Sequence, residues 1–240
     1  MIGVWTDITE GKIQMEKLAN AQMETIFALA KIVESRDSET GRHLERVQTV
    51  CRLLATGLSE TPKYKGKIDS AWIKHIFCVS PLHDVGKVAI PDRIFQKSGP
   101  LTLDESAIMK THAAVGAQTL GAVHDRYPDN DFIEMGIEIA RSHHERWDGR
   151  GYPDHLIGEE IPLSARIVAV ADAYDAIRGA RCYKAPIPHH EACTILLGDS
   201  GKHFDPAVIA VFSELADAIR DMWDRMASDT GTTPALPGRS

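Results

Sequence analysis

The stretch "AWIKHIFCVSPLHDVGKVAIP", residues 71–91, begins as an apolar helix and runs into a histidine, an aspartate and a lysine. The helical pattern extends from Asp69 to about His83, so His83 and Asp84 fall at its end and Lys87 one turn further on. Ionisable groups are costly to bury without partners. Two arrangements supply them: a hydrogen-bonded polar network in the core, or one half of a metal site.

The rest of the chain reads as helices. "SETGRHLERVQTVCRLLATGL" puts apolar residues at 44, 47, 50, 51, 54 and 58, and predicts a helix from Ser38 to about Ser59. Thr102 and Glu105 form a capping box that opens another in "TLDESAIMKTHAAVGAQTLGAV". "NDFIEMGIEIARSHHERW" is a further helix, and "DGRGYPDHLIGEEIP" is a glycine- and proline-rich loop. "LSARIVAVADAYDAIRGA", residues 163–180, is apolar almost throughout and belongs at the centre. "HHEACTILLGD" and "DPAVIAVFSELADAIRDMW" complete an all-α set with no alternating strand pattern. Residues 13–34 form an amphipathic helix with Met15, Leu18, Ile26, Leu29 and Val33 near one face. The expected division is a linker helix over 1–34, a catalytic domain over 35–226 and a disordered tail over 227–240.

Polar residues recur on faces that should be buried. Glu39 and His43 are four apart and share one side of a helical turn. His112 sits among small residues, His143 and His144 end a helix, and Asp172 lies in a segment too apolar for an unpartnered carboxylate, with Asp175 one turn on. Each alone is ordinarily a satisfied core residue. Together they come from five helices and exceed what one tetrahedral structural zinc needs. Imidazole with shared carboxylate suits iron, manganese, nickel or zinc, and two or more ions.

Composition narrows the function. The net charge of −7 argues against general nucleic-acid binding. No apolar run approaches a membrane span in this stretch, and no signal-peptide pattern opens it. Cys51, Cys78, Cys182 and Cys193 form no CxxC pair and read as reduced residues of a cytoplasmic protein.

"HD" at 83–84, "HHERWDGRGYP" at 143–153 and "ADAYDAIRGARCYK" at 171–184 resemble the HD-GYP family of bacterial cyclic-di-GMP phosphodiesterases. The resemblance covers roughly 25–212 and extends to "RDSETGRH", "LHDVGKVAIPD", "MKTH", "GEEIPLSARIVAVAD" and "GKHFDP". It implies an HD-domain helical bundle with additional C-terminal helices and a GYP loop. It also implies hydrolysis of cyclic-di-GMP to pGpG, and in some members on to GMP. The matching metal ligands are His43, His83, Asp84, His112, His143, His144 and Asp172, with Glu39 matching members that hold three metals rather than two. Iron or manganese is expected, with nickel, zinc or cobalt as alternatives. Lys87, Arg181 and Lys184 match phosphate contacts, Gly151 and Tyr152 belong to the signature loop, and Tyr152 would touch the substrate. Asp37 and Asp175 fall at site-lining positions. Cys182 and Ala113 stand where proline is usual, and neither removes a ligand.

The implied mechanism is in-line attack by a metal-bridging hydroxide, with Asp84 joining two ions. Lys87, Arg181 and Lys184 would stabilise phosphoryl charge, and Asp175 or Asp37 would orient the water or protonate the leaving 3′-oxygen. Other readings are a phosphodiesterase for cyclic GMP-AMP, an alarmone hydrolase, a non-catalytic cyclic-di-GMP receptor or interaction module, and a purely structural bundle. "DITE" at 7–10 before a charged helix resembles the end of a PAS sensor domain. An upstream sensor, diguanylate cyclase (GGDEF) proteins and a second copy paired through the first helix are the expected partners.

Overall fold

The computed structural model of the protein describes residues 2–36, 42–179 and 186–228. Among them there are helices and turns but no strand. The order is α1 (Ile2–Glu34), α2 (His43–Glu60), α3 (Ser70–Val79), α4 (Asp92–Phe95), α5 (Leu103–His124), α6 (Asp131–Ser142), α7 (Leu163–Arg178), α8 (His189–Gly198), α9 (Pro206–Glu214) and α10 (Ala216–Ser228). The all-α expectation holds.

α7 lies at the centre, as its nearly continuous apolar run requires. Ala165, Ile167, Val168, Val170, Ala171 and Tyr174 are fully enclosed. They pack against Val47, Val50, Cys51, Leu54 and Leu58 of α2, and against Val208, Ile209 and Phe212 of α9. Burying one leucine-sized side chain contributes about 2 kcal/mol, so this aliphatic seam is the main source of cohesion in a chain poor in aromatics. A second, smaller cluster joins Ala30 of α1 to Leu44 and Leu82, with Ile26, Phe27, Val85 and Leu120 around it.

Several boundaries differ from the sequence pattern. α3 stops at Val79 instead of continuing to His83, because Pro81 enters and the chain tightens into a 3₁₀ turn at Ser80–Leu82. A second 3₁₀ turn, Val85–Ala89, carries Lys87. The single helix expected over 205–223 divides at Leu215 into α9 and α10. α1 is helical from Ile2, and its packed face is Ile26, Phe27 and Ala30, whereas Leu29 on the expected face is 55% exposed. The capping box at Thr102 is present, with Glu105 N–H donating to Thr102 Oγ1 at 3.3 Å and Thr102 N–H to Glu105 Oε2 at 2.8 Å. Of the proposed disordered tail, residues 229–240 lie outside the described residues, and Ser228 still belongs to α10.

The Val85–Ala89 turn lies directly on the backbone of α5, which is why α5 is rich in small residues at that point. A Cβ built on Gly86 would stand 2.0 Å from the His112 carbonyl oxygen and 2.6 Å from the Gly116 nitrogen. Only glycine permits that approach, and the approach sets Asp84 beside His112. Gly86→Ala is therefore expected to destabilise the fold by about 3 kcal/mol, read from denaturant unfolding, and an unchanged midpoint would contradict this packing.

Candidate metal centre

Four helices and two 3₁₀ turns converge. α2 begins with His43, the two 3₁₀ turns flank His83 and Asp84, α5 presents His112 from its middle, α6 releases the chain at His143 and His144, and α7 contributes Asp172. His83, His112 and His143 are at most 3% exposed.

Each of these three rings is held through Nδ1 by a backbone carbonyl: His83 by Ser80 at 2.8 Å, His112 by Met109 at 2.8 Å and His143 by Ile139 at 3.0 Å. A carbonyl oxygen only accepts, so Nδ1 must carry the proton and donate it. In a neutral ring this leaves Nε2 with its lone pair facing inward.

Those nitrogens meet Asp84. Its Oδ1 lies 3.3 Å from His112 Nε2 and 3.8 Å from His143 Nε2, and its Oδ2 lies 3.3 Å from His83 Nε2. Lys87 Nζ is 2.6 Å from Oδ2. Asp172 Oδ1 stands 3.6 Å from His43 Nε2 and 3.9 Å from His83 Nε2. Two ligand groups result, Asp84–His112–His143–His144 and His43–His83–Asp172, each with its ligand atoms within 4.8 Å of one another. Asp84 reaches both, one oxygen toward each.

The donor set fits cations. Nε2 of His83, His112 and His143 and Oδ1 of Asp84 are buried without a hydrogen-bond partner. Lone pairs facing one another in a water-poor cavity are costly, and a shared cation removes that cost. The protonation states agree. Burial, then neighbouring His144, pushes His143 well below the usual imidazole range, and burial brings His144 down to about 4. Burial likewise lowers His112. Burial opposes charging His83 too, but the Asp84 and Asp172 carboxylates outweigh it and raise its pKa. Burial would raise Asp84, yet Lys87 and His83 hold it well below the ordinary carboxylate range. Mostly neutral imidazoles around an ionised carboxylate are the ligand forms a metal requires.

Asp175 is not in the cavity. It sits behind His43, its Oδ2 2.8 Å from His43 Nδ1, and accepts from Arg46 Nε at 2.5 Å and Trp223 Nε1 at 2.7 Å on Oδ1. It is 3% exposed, and although burial works against the charge, His43 and Arg46 hold its pKa to about 2. This corrects the expectation that Asp175 orients the water or protonates the leaving group, since both oxygens are engaged away from the site. Asp172 and Asp175 thus bracket one imidazole, the first on its Nε2 side and the second on its Nδ1 side. Arg46 and Trp223 were missed by sequence reasoning. Arg46 did leave a signal, a guanidinium amid the apolar spacing of α2. Trp223 left none.

The signature loop is tightly packed. A Cβ on Gly151 would fall 2.4 Å from Glu145 Cα, and Asp154 N–H donates to Glu145 Oε1 at 2.7 Å. The Tyr152 ring stacks on His144 with centroids 4.7 Å apart, and Lys110 Nζ stands 5.0 Å from the Tyr152 ring centroid. Tyr152 therefore borders the Asp84 side of the centre. The structure thus brings His43, His83, Asp84, Lys87, His112, His143, His144 and Asp172 together. Asp37, Glu39, Arg181, Cys182 and Lys184 lie outside the described residues.

A family model described as "HD domain" matches residues 27–208. The chain is 46% identical over 187 residues to a cyclic di-GMP phosphodiesterase of Vibrio cholerae, covering 78% of this chain and 38% of that protein. It is 38% identical to a 3′3′-cGAMP-specific phosphodiesterase 2 of the same organism, covering 92% of this chain and 38% of that one. The chain therefore spans well under half the length of these curated relatives. A solved cyclic GMP-AMP specific phosphodiesterase of V. cholerae, V-cGAP3, shares the fold at a TM-score of 0.57 and 18% identity, over 89% of this chain and 54% of that one. With the histidine–aspartate centre and the 143–153 loop in place, the chain belongs to the HD domain family, in its HD-GYP group.

Proposed function

We propose that the chain hydrolyses cyclic-di-GMP to pGpG at this centre, with further cleavage to GMP open to it. The observation that carries the reading is Asp84, with one oxygen facing each imidazole group. It is supported by the 46% identity to a protein named for that reaction.

His43, His83 and Asp172 would hold one ion, and His112, His143 and His144 a second, with Asp84 shared. Glu39 is the proposed ligand of a third. Iron or manganese is the expected metal, and nickel, zinc or cobalt would suit the same donors. When bound, such ions lower the pKa of a water near phosphorus and neutralise developing phosphoryl charge.

The chain's own residues do the rest. Carbonyl-tethered imidazoles keep their orientation without reorganising during reaction. Lys87, 2.6 Å from Asp84, is placed to offer its ammonium to a phosphoryl oxygen beside the centre. Arg181 and Lys184, which follow α7 in sequence, and Asp37 are proposed as further contacts to phosphate or leaving group. Tyr152, stacked on His144, is proposed to touch a guanine or ribose of the substrate. Asp175 acts through His43, fixing the ring from behind.

The relative specific for 3′3′-cGAMP motivates a second reading in which a mixed cyclic dinucleotide is the substrate. A non-catalytic receptor is disfavoured by the completeness of the described ligand set. The helix expected to meet an upstream sensor or a second copy leaves Ile13, Leu29 and Ile32 exposed, which supports pairing through α1. GGDEF proteins remain proposed partners. No helix among the described residues is long and apolar enough to cross a membrane, and the free thiols of Cys51, Cys78 and Cys193 suit the proposed cytoplasmic setting.

Metal-loaded protein should convert cyclic-di-GMP to pGpG, followed by chromatography, and chelation should abolish turnover until iron or manganese is restored. Faster hydrolysis of 3′3′-cGAMP than of cyclic-di-GMP would shift the assignment to the second reading. Asp84→Ala should bind less metal by elemental analysis and lose activity by more than about 100-fold. Normal turnover by a metal-replete Asp84→Ala protein would refute the shared-carboxylate centre. Asp175→Asn should weaken metal binding about 10–100-fold in a chelator competition, with little change in the Asp84 group.

A further inference from the structure

Arg36 stands just past the end of α1, its backbone N–H still bonded to Val33 O at 3.3 Å. Its guanidinium reaches across to the turn that follows Asp84. Nη1 donates to the carbonyls of Lys87 and Val88, both at 3.1 Å, and Nη2 to the carbonyl of Ile90 at 2.9 Å and to Asp92 Oδ1 at 2.5 Å. Carbonyls at the C-terminal end of a short helical turn carry its negative pole; the Lys87 carbonyl also accepts from Ile90 N–H at 3.0 Å, so Arg36 adds a second donor there. One planar fork therefore holds the end of the Val85–Ala89 turn. The Asp92 pair is solvent-facing, with that carboxylate 71% exposed, so the carbonyl contacts carry more of the interaction. Phe95 lies between the two cations, its ring 5.2 Å from the Arg36 guanidinium carbon and 5.9 Å from Lys87 Nζ.

The rest of α1 bears on the same place. Ile26, Phe27 and Ala30 pack on Leu44, Leu82 and Val85, the apolar neighbours of His43, His83 and Asp84. α1 is thus seated on the back of the metal centre and clipped by Arg36 to the segment carrying Lys87.

We propose that Arg36 is a positioning residue, which fixes the Lys87 turn against the end of α1 so that the setting of that helix is felt at the Lys87 ammonium. Arg36 acts through the backbone of residues 87–90, not on substrate. Its catalytic consequence rests on the hydrolytic reading above, whereas the mechanical tie does not. Among the described residues, this guanidinium ties the end of α1 to the turn that carries Lys87.

The test combines hydrogen exchange and a double-mutant cycle on the full chain. In Arg36→Met, amides of residues 85–92 should exchange faster while those of α2 and α7 stay protected. Metal content should be unchanged, kcat should fall about tenfold and KM should move little. Arg36→Lys, which keeps charge but loses the fork, should recover only part of kcat. In a Lys87→Met background the Arg36→Met change should add almost nothing, because the residue it positions is already gone. Unaltered exchange over 85–92 overturns the proposal, and so does a full multiplicative loss in the double variant. Should Arg36→Met itself fail to fold, Arg36→Lys, which keeps the charge but loses the fork on the carbonyls, should loosen the same amides to a smaller degree, and unchanged exchange there would equally overturn it. Faster exchange over 85–92 in a protein that hydrolyses no cyclic dinucleotide would uphold the tie and bring down the hydrolytic reading alone.

Discussion

One carboxylate with two faces governs this molecule. Asp84 is part-buried, held ionised by Lys87 and His83, and faces imidazoles of separate elements. An anion in that setting is tolerable only where compensating positive charge is fixed nearby. The surrounding architecture is organised to meet that condition. Glycine at 86 lets the turn settle onto α5, proline at 81 ends α3 early enough to release the chain, and small residues in α5 open the space. Changing any of these moves the carboxylate relative to the imidazoles, so elements that touch no ligand still set the geometry of the centre.

The imidazoles are held in a way that separates stability from reactivity. One ring nitrogen of each of three histidines is committed to a helix or turn carbonyl that the fold would supply in any case. His43 differs, because its rear partner is a carboxylate held in turn by Arg46 and by Trp223 of α10. Trp223 lies between the guanidiniums of Arg46 and Arg178, 5.1 and 4.5 Å from its ring, and Arg178 pairs with Asp224. His43 is thus backed by a carboxylate where the other three are backed by carbonyls, so the two ligand groups differ before any metal is considered.

Much of this was legible in the sequence. The all-α class followed from periodicity and the central place of α7 from its unbroken apolar run, while histidines and aspartates lying where apolar residues dominate marked the residues that converge. What stayed hidden has common causes. Any helix residue has a carbonyl to offer, so nothing marks Ser80, Met109 or Ile139 as ring partners. Asp175 is three residues after Asp172, close enough around the helix to pass for the same face, and only the placement of α2 shows that it reaches the opposite side of His43. The early end of α3 was missed because proline is compatible with the first turn of a helix as well as with its interruption. Nothing in the sequence singled out Arg36, since its partners are main-chain oxygens brought near by tertiary packing.

The indole that steadies the Asp175 carboxylate belongs to the last helix of the described chain, whereas the imidazole it supports opens α2 near the beginning. During synthesis His43 emerges long before Trp223, so a growing polypeptide has several imidazoles exposed while one binding pocket is still missing its rear support. Docking of α10 is therefore the step that completes the rear support of His43.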